Sequence, residues 1–145
     1  MKILMVCLGN ICRSPLAHGV LAHMVKEKEL GWEIDSAGTG NWHIGQCPDK
    51  RSVAVAKKYG VDISQQRARQ FNERDFARYD HILVMDRQNL RDVVALAKTA
   101  EEKTKVKLFL EDGIVPDPYY DDNLFETVYQ LVASRCEVLI EELKD

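Results

Sequence analysis

The sequence predicts an α/β fold of three layers: a four-stranded parallel sheet with helices on both faces. Three observations lead there. Short apolar runs alternate with segments of helical periodicity along the 145 residues, and such alternation builds parallel sheets covered on both sides. The first apolar run passes into a glycine-bearing loop and then Ser14-Pro15, which reads as an N-cap followed by proline at the first helical position. The length suits one sizeable core, so residues 1–145 are expected to form a single domain.

The elements follow in order. Lys2-Ile3-Leu4-Met5-Val6 is short and apolar and predicts a buried strand. Residues 15–29 set Leu16, Val20, Leu21, Met24 and Val25 at helical spacing. Glu33-Ile34-Asp35-Ser36-Ala37 predicts the second strand, and residues 49–59 a helix stopped by Gly60. Residues 79–84 give the third strand, and 87–97 a helix carried by Leu90, Val93, Val94 and Leu96. Glu101-Glu102-Lys103-Thr104-Lys105 reads as a solvated charge run. Residues 106–110 give the fourth strand and 122–143 the last helix, with Asp121 or Asp122 as its cap.

Composition narrows the function classes. Hydrophobic residues make up 46% of the chain and charged residues 30%, which is ordinary for a soluble globular protein. The net charge of −3, with both signs mixed, argues against a nucleic-acid partner. No run approaches the ~20 apolar residues that span a bilayer, and Met1-Lys2-Ile3 enters the first strand without a signal-peptide pattern. A cytoplasmic protein without membrane association is expected. Four cysteines, two of them in one loop, suit a reducing compartment better than a disulfide framework. Cys47 and Cys136 read as spare thiols, Cys136 within a helix core. His18, His23, His43 and His81 show no zinc-like spacing, so no metal is expected. Gly38-Thr39-Gly40 hints at a dinucleotide loop, but Asn41-Trp42-His43-Ile44-Gly45 breaks that spacing, and no cofactor is expected.

The loop after the first strand carries chemistry. It reads Cys7-Leu8-Gly9-Asn10-Ile11-Cys12-Arg13-Ser14-Pro15. A loop between strand and helix aims its N–H groups and the positive helix end at one spot, which makes a phosphate loop. Cysteine at such a place loses its proton readily, because a helix N-terminus and a neighbouring arginine lower a thiol pKa from ~8.5 to roughly 3.5–7.5. The thiolate is a nucleophile. Arg13 brings a planar fork that matches two phosphoryl oxygens. Gly9 and Asn10 tolerate the positive φ of a tight anion loop. A Cys-x5-Arg spacing alone is weak, and a cysteine at a strand end is often only packed. The strand, loop and helix around it make the catalytic reading the stronger one. The oxygen that leaves the phosphoryl group needs a proton. No acid precedes Cys7, so the donor comes from downstream. Asp117, bracketed by Pro116 and Pro118 and followed by Tyr119 and Tyr120, is the best candidate, with its carboxyl group partly desolvated by the rings.

These residues resemble the low molecular weight protein tyrosine phosphatase family, of the bacterial type. The motifs are residues 6–15 and Asp117-Pro118-Tyr119-Tyr120. Between them lie Asp35-Ser36-Ala37-Gly38-Thr39, Pro48-Asp49-x-Arg51-Ser52, Ala68-Arg69-Gln70 and Val84-Met85-Asp86, in the family's order. Phe125-Glu126-Thr127-Val128-Tyr129 is similar to the start of its last helix. The resemblance implies hydrolysis of protein phosphotyrosine through a cysteinyl-phosphate. Cys7 matches the nucleophile, Arg13 the phosphate clamp and Asp117 the general acid and base. Leu8, Gly9, Asn10, Ile11, Cys12, Arg13 and Ser14 match the phosphate-binding loop, with Asn10 shaping it and the Ser14 hydroxyl supporting the thiolate. Trp42, Tyr119 and Tyr120 match the cleft wall. Cys12 matches a redox partner of the nucleophile. The implied partner is a tyrosine-phosphorylated protein, a bacterial tyrosine kinase being one candidate, and the expected state is a monomer.

Gln66 departs from the pattern, standing where many bacterial members carry a histidine that reaches toward the loop asparagine. Asp86, after the third strand, is placed to brace the neighbouring loop. Two rival functions stand beside this one, an arsenate reductase on the same scaffold and a non-catalytic phosphotyrosine-binding module. An arsenate reductase needs a further cysteine pair beyond mid-chain, and no cysteine lies between 47 and 136. A non-catalytic phosphotyrosine-binding module would lack the nucleophile, arginine or acid, and all three residue types are present.

Overall fold

The computed structural model describes residues 1–111 and 113–144. In chain order the elements are β1 (Lys2–Cys7), α1 (Arg13–Glu27), β2 (Glu33–Gly38), α2 (Lys50–Lys58), α3 (Asp75–Arg78), β3 (His81–Val84), α4 (Arg87–Leu96), α5 (Ala100–Thr104), β4 (Val106–Leu108) and α6 (Leu124–Leu143). The strands form one parallel sheet in the order β2-β1-β3-β4. Val6 pairs with Ala37 on one side and Val84 on the other, and Val84 with Leu108.

The period-two alternation of β1 divides the core. Ile3, Met5 and Cys7 face the layer that holds α1, α2 and α6, where Leu16, Leu21, Val128 and Ile140 are fully buried. Leu4 and Val6 face the opposite layer, with Phe71, Phe76, Tyr79 and Val93. Each fully buried Leu or Ile contributes roughly 1.5–3 kcal/mol of transfer free energy, so both faces of β1 are strongly specified. The chain runs from β1 to β2 on one side and then crosses to β3 on the other. A crevice therefore opens at the carboxyl ends of β1 and β3, where open α/β sheets bind ligands.

Three local expectations are corrected, and the charge run, solvated as expected, is also helical. Ser14 is not an N-cap: α1 begins at Arg13 with Cys12 at the cap position, and the Ser14 hydroxyl is engaged elsewhere. The charge run contains a helix, α5, opened by Thr99 Oγ1 accepting from Glu102 N (3.1 Å) while Glu102 Oε1 accepts from Lys98 N (2.7 Å). A Thr-x-x-Glu capping signal was present at that point. Neither Asp121 nor Asp122 caps α6. Asp121 accepts from Asn123 N, Asp122 pairs with Arg51, and the cap position is Asn123. β4 ends at Leu108 because Phe109 turns into the α1–α6 side of the core. Gly60, at φ +82°, ends α2 as expected, and Asp49 caps its start by accepting from Arg51 N at 2.8 Å.

The end of β2 lies against the loop after β1. A methyl group on Gly38 would stand 2.7 Å from the Leu8 carbonyl oxygen and 3.1 Å from Asn10 N. Both are backbone atoms, and Gly38 is itself held by Arg69 O and Phe71 N. Gly38→Ala is expected to destabilise the fold by about 1–3 kcal/mol. Urea unfolding measures it, and an unchanged midpoint would show that the loop gives way freely.

Candidate active site

The loop between β1 and α1 is held by its carbonyl groups. Cys7 O accepts from Thr39 N (2.9 Å), Leu8 O from Gly40 N (2.9 Å) and Ile11 O from Asp49 N (2.8 Å). With those carbonyls turned outward, the loop presents its N–H side to the pocket that Cys7, Leu8, Gly9, Ile11, Cys12 and Arg13 line. Asn10 sits at φ +57°, in the left-handed region, and every polar group of its side chain is used there. Its Nδ2 donates to Ser14 Oγ (2.8 Å), and its Oδ1 accepts from Arg69 N (3.0 Å).

Cys7 is buried at the floor of this loop. Asn10 N donates to Sγ at 3.3 Å, and Ser14 Oγ lies 3.0 Å from Sγ. Ser14 already accepts from Asn10, so its own O–H is free to donate to sulfur. Two donors and the start of α1 therefore face Sγ, an arrangement that favours a sulfur anion. Cys12 behaves oppositely. Burial, with the nearby Asp49 and Cys7 charges adding to it, pushes its thiol up to about 12. One loop thus holds two cysteines in different surroundings.

Arg13 is 3% exposed. Its Nη1 donates to Asp86 Oδ2 (2.7 Å) and to Val115 O (3.1 Å). Nε and Nη2 have no hydrogen-bond partner among the described residues, which leaves one edge of the fork for an oxyanion. Burial works against the guanidinium charge, but Cys7 and Asp86 outweigh it and hold the pKa above its ordinary value. Asp86 also caps α4 by accepting from Asn89 N (2.8 Å), so the residue that aims Arg13 is itself fixed.

The third group arrives from beyond β4. Val115 N donates to Met85 O (2.8 Å), which extends the chain along β3. Two residues later Asp117 Oδ2 stands 4.0 Å from Arg13 Nη2, and its Oδ1 accepts from Tyr119 N (3.1 Å). The Asp117 side chain is 42% exposed. The Tyr119 and Tyr120 rings that follow it pack on each other, edge to face at 4.9 Å.

Above these groups opens a cleft of ≈460 Å³, walled by Trp42, His43, Tyr119 and Tyr120. Trp42 can lie there because residue 40 is glycine: a β-carbon at Gly40 would fall 1.9 Å from the indole ring. The cleft combines a sulfur nucleophile, an oxyanion fork, a carboxyl group and aromatic walls. That is the equipment for transferring a phosphoryl group from an aryl ester.

The sequence matches the family described as low molecular weight phosphotyrosine protein phosphatase over residues 2–145. The chain belongs to that family. A relative from Synechocystis sp. is 42% identical over 152 residues, covering 99% of this chain and 96% of its own length. Among solved structures, the protein tyrosine phosphatase of Entamoeba histolytica with Hepes in its active site superposes with a TM-score of 0.93 at 34% identity, covering 99% of this chain and 96% of that one. Vibrio vulnificus Wzb in complex with benzylphosphonate superposes with a TM-score of 0.88 at 30% identity, covering 98% of each chain.

The phosphatase brings together every residue that sequence reasoning nominated for the loop and the cleft. Gln66, the departure from the family pattern, bonds to α1. It does not reach Asn10. Its Nε2 donates to Pro15 O (3.1 Å), its Oε1 is buried without a partner, and the support for Asn10 comes from the backbone of Arg69. Arg69 is anchored by a two-pronged pair with the fully buried Asp75 (3.0 and 3.1 Å). Sequence reasoning assigned no role to Asp75 or Arg69, nor to His43 on the cleft wall. The Ala68-Arg69-Gln70 motif was the one available signal, and nothing in it named a partner.

The contrast between the two loop thiols is testable. Limiting iodoacetate at pH 7 is expected to carboxymethylate Cys7 ahead of the exposed Cys47. Cys12 stays unmodified, as does Cys136, whose thiol is pushed up by burial. Peptide mass mapping reads the order, and early labelling of Cys12 would contradict it.

Proposed function

We propose that the phosphatase hydrolyses protein phosphotyrosine through a cysteinyl-phosphate, with Cys7 as nucleophile, Arg13 as phosphate clamp and Asp117 as general acid and base. One observation carries this reading. Cys7 Sγ, the unengaged edge of Arg13 and the Asp117 carboxylate, 4.0 Å from Arg13 Nη2, converge on one cleft. In the first step Sγ attacks phosphorus in line with the ester oxygen. The S–P bond forms as the P–O bond breaks, and Asp117 passes its proton to the departing phenolate oxygen. The N–H groups of residues 8–14 and the Arg13 fork hold the equatorial oxygens throughout. In the second step a water gives its proton to the Asp117 carboxylate and attacks phosphorus. The S–P bond breaks, the thiolate returns, and inorganic phosphate leaves.

Trp42, Tyr119 and Tyr120 receive the aromatic ring of the substrate. Benzylphosphonate, held by the related Wzb, supports this, since it carries a phenyl ring one atom from phosphorus as phenyl phosphate does. Within the class of tyrosine-phosphorylated proteins, the proposed partner is a bacterial tyrosine kinase. A functioning Cys7 thiolate needs a reducing compartment, which supports a cytoplasmic site of action.

Cys7→Ser is expected to abolish turnover of phenyl phosphate, with chelator present, while inorganic phosphate still binds. Appreciable turnover by that variant would remove the nucleophile assignment. Asp117→Ala is expected to lower kcat/KM by about 10²–10⁴ on phenyl phosphate, and far less on an ester whose leaving group needs no proton.

Cys12 is proposed as the redox partner. Peroxide oxidises the Cys7 thiolate to a sulfenic acid, the Cys12 thiol displaces water from it, and a disulfide forms. Recovery of activity by dithiothreitol is expected to fall in Cys12→Ser, whose sulfenic acid oxidises further. Equal recovery in both proteins would argue against the bridge.

A further inference from the structure

Arg51, in the first turn of α2, stands outside the reacting groups, yet it touches the segment that bears Asp117 and, through Asp49, is joined to the phosphate loop. Its Nε and Nη2 donate to the two carboxylate oxygens of Asp49 (3.0 and 2.8 Å), and its Nη1 donates to Asp122 Oδ1 (2.6 Å). The guanidinium lies over the Phe125 ring at 4.5 Å and the Tyr119 ring at 5.6 Å. Asp49 is in turn joined to the phosphate loop, because its backbone N–H donates to Ile11 O at 2.8 Å. A continuous chain of contacts thus runs from Ile11 through Asp49 and Arg51 to Asp122 and Tyr119.

The segment that bears Asp117 needs such a tie. Val115 anchors its upstream end, through Met85 and Arg13. Among the described residues, the hydrogen bonds of residues 116–123 are otherwise local turns, closed by Asp117, Pro118 and Asp121, the last running into Leu124 at the start of α6. The exception is Asp122 to Arg51. The arginine fork suits the task in a way lysine does not: it grips two carboxylates at once and lies flat on two rings. The bridge is charged across the working range, since the Arg51 fork holds Asp49 below the ordinary carboxylate value and Asp49, then Asp122, hold Arg51 above its own. Asp122 is 83% exposed and the Arg51 side chain is 33% exposed. Exposed pairs add little to stability, so the consequence of this one belongs to geometry rather than to folding.

We propose that Arg51 is a positioning residue: it fixes the 116–123 segment against the phosphate loop, holding Asp117 on the leaving-group side. The proposal rests on the general-acid reading of Asp117. Arg51→Ala is expected to lower kcat/KM on phenyl phosphate by about tenfold to a hundredfold, and on 2,4-dinitrophenyl phosphate, which leaves without a proton, by less than about threefold. Alkylation of Cys7 by iodoacetate, and its protection by inorganic phosphate, remain at wild-type rates. Arg51→Lys recovers little of the loss. In an Asp117→Ala background, Arg51→Ala causes no further loss on phenyl phosphate.

Equal losses on the two esters would overturn the proposal. So would a full additional loss in the Asp117→Ala background, or wild-type kcat/KM on phenyl phosphate. Should circular dichroism show that Arg51→Ala does not fold, Asp122→Ala cuts the bridge at its exposed end and is read the same way. Asp117→Ala alone separates the two ideas: if it slows both esters equally, the acid assignment fails and the Arg51 proposal falls with it. If it slows only phenyl phosphate, the Arg51 results judge Arg51.

Discussion

The site depends on one constraint: the backbone of residues 8–12 must turn its carbonyls away from the pocket. A peptide carbonyl facing a dianionic phosphoryl group would repel it, and a buried carbonyl without a donor is costly. The fold meets both demands with the same contacts. Thr39 and Gly40 at the end of β2 and Asp49 at the start of α2 take the carbonyls of Cys7, Leu8 and Ile11. Asn10, at φ +57°, makes the reversal and is locked by Ser14 and Arg69. The sheet order β2-β1-β3-β4 brings those donors beside the loop. Catalytic geometry here follows from where β2 ends and where α2 begins.

Charge is arranged by the same logic. Arg13 is almost fully buried, and a buried cation without a partner is strongly unfavourable. Asp86 balances it from the end of β3, yet engages only Nη1. Neutralisation and availability are thereby separated on one guanidinium: one nitrogen satisfies the protein, and the opposite edge is kept for the substrate. Cys7 and Cys12 show the equivalent division between two thiols of a single loop. Sγ of Cys7 meets donors, whereas Cys12 meets apolar surroundings and the charge of Asp49.

What the sequence made legible was local. The alternation of strands and helices, the residues of the phosphate loop, Asp49 before α2 and Gly60 after it are patterns within a few positions of each other, where periodicity and capping rules operate. Long-range partners were not legible, because strand order decides them. Asp86 was expected to brace a neighbouring loop, and the bracing turned out to act on Arg13, 73 positions away. Arg69 takes its place from Asn10, 59 positions away, and from Asp75. Ser14 shows the same limit in reverse. Ser-Pro is a sound helix-start signal, but a hydroxyl beside a buried sulfur and the Asn10 amide has stronger claims on it. Gln66 was read by analogy with a histidine, and its amide was taken instead by the carbonyl of Pro15 on the adjoining helix.

The placement of Trp42 has a consequence of another kind. Its indole lies on the bare backbone of Gly40 and is 66% exposed, so it rests on the scaffold without being built into the core. The floor of the cleft is welded to β1, β2 and α2, whereas this part of the rim is a detachable tile. Exchange of residue 42 leaves the reacting groups untouched. The rim can therefore change shape while the cradle beneath it keeps its geometry.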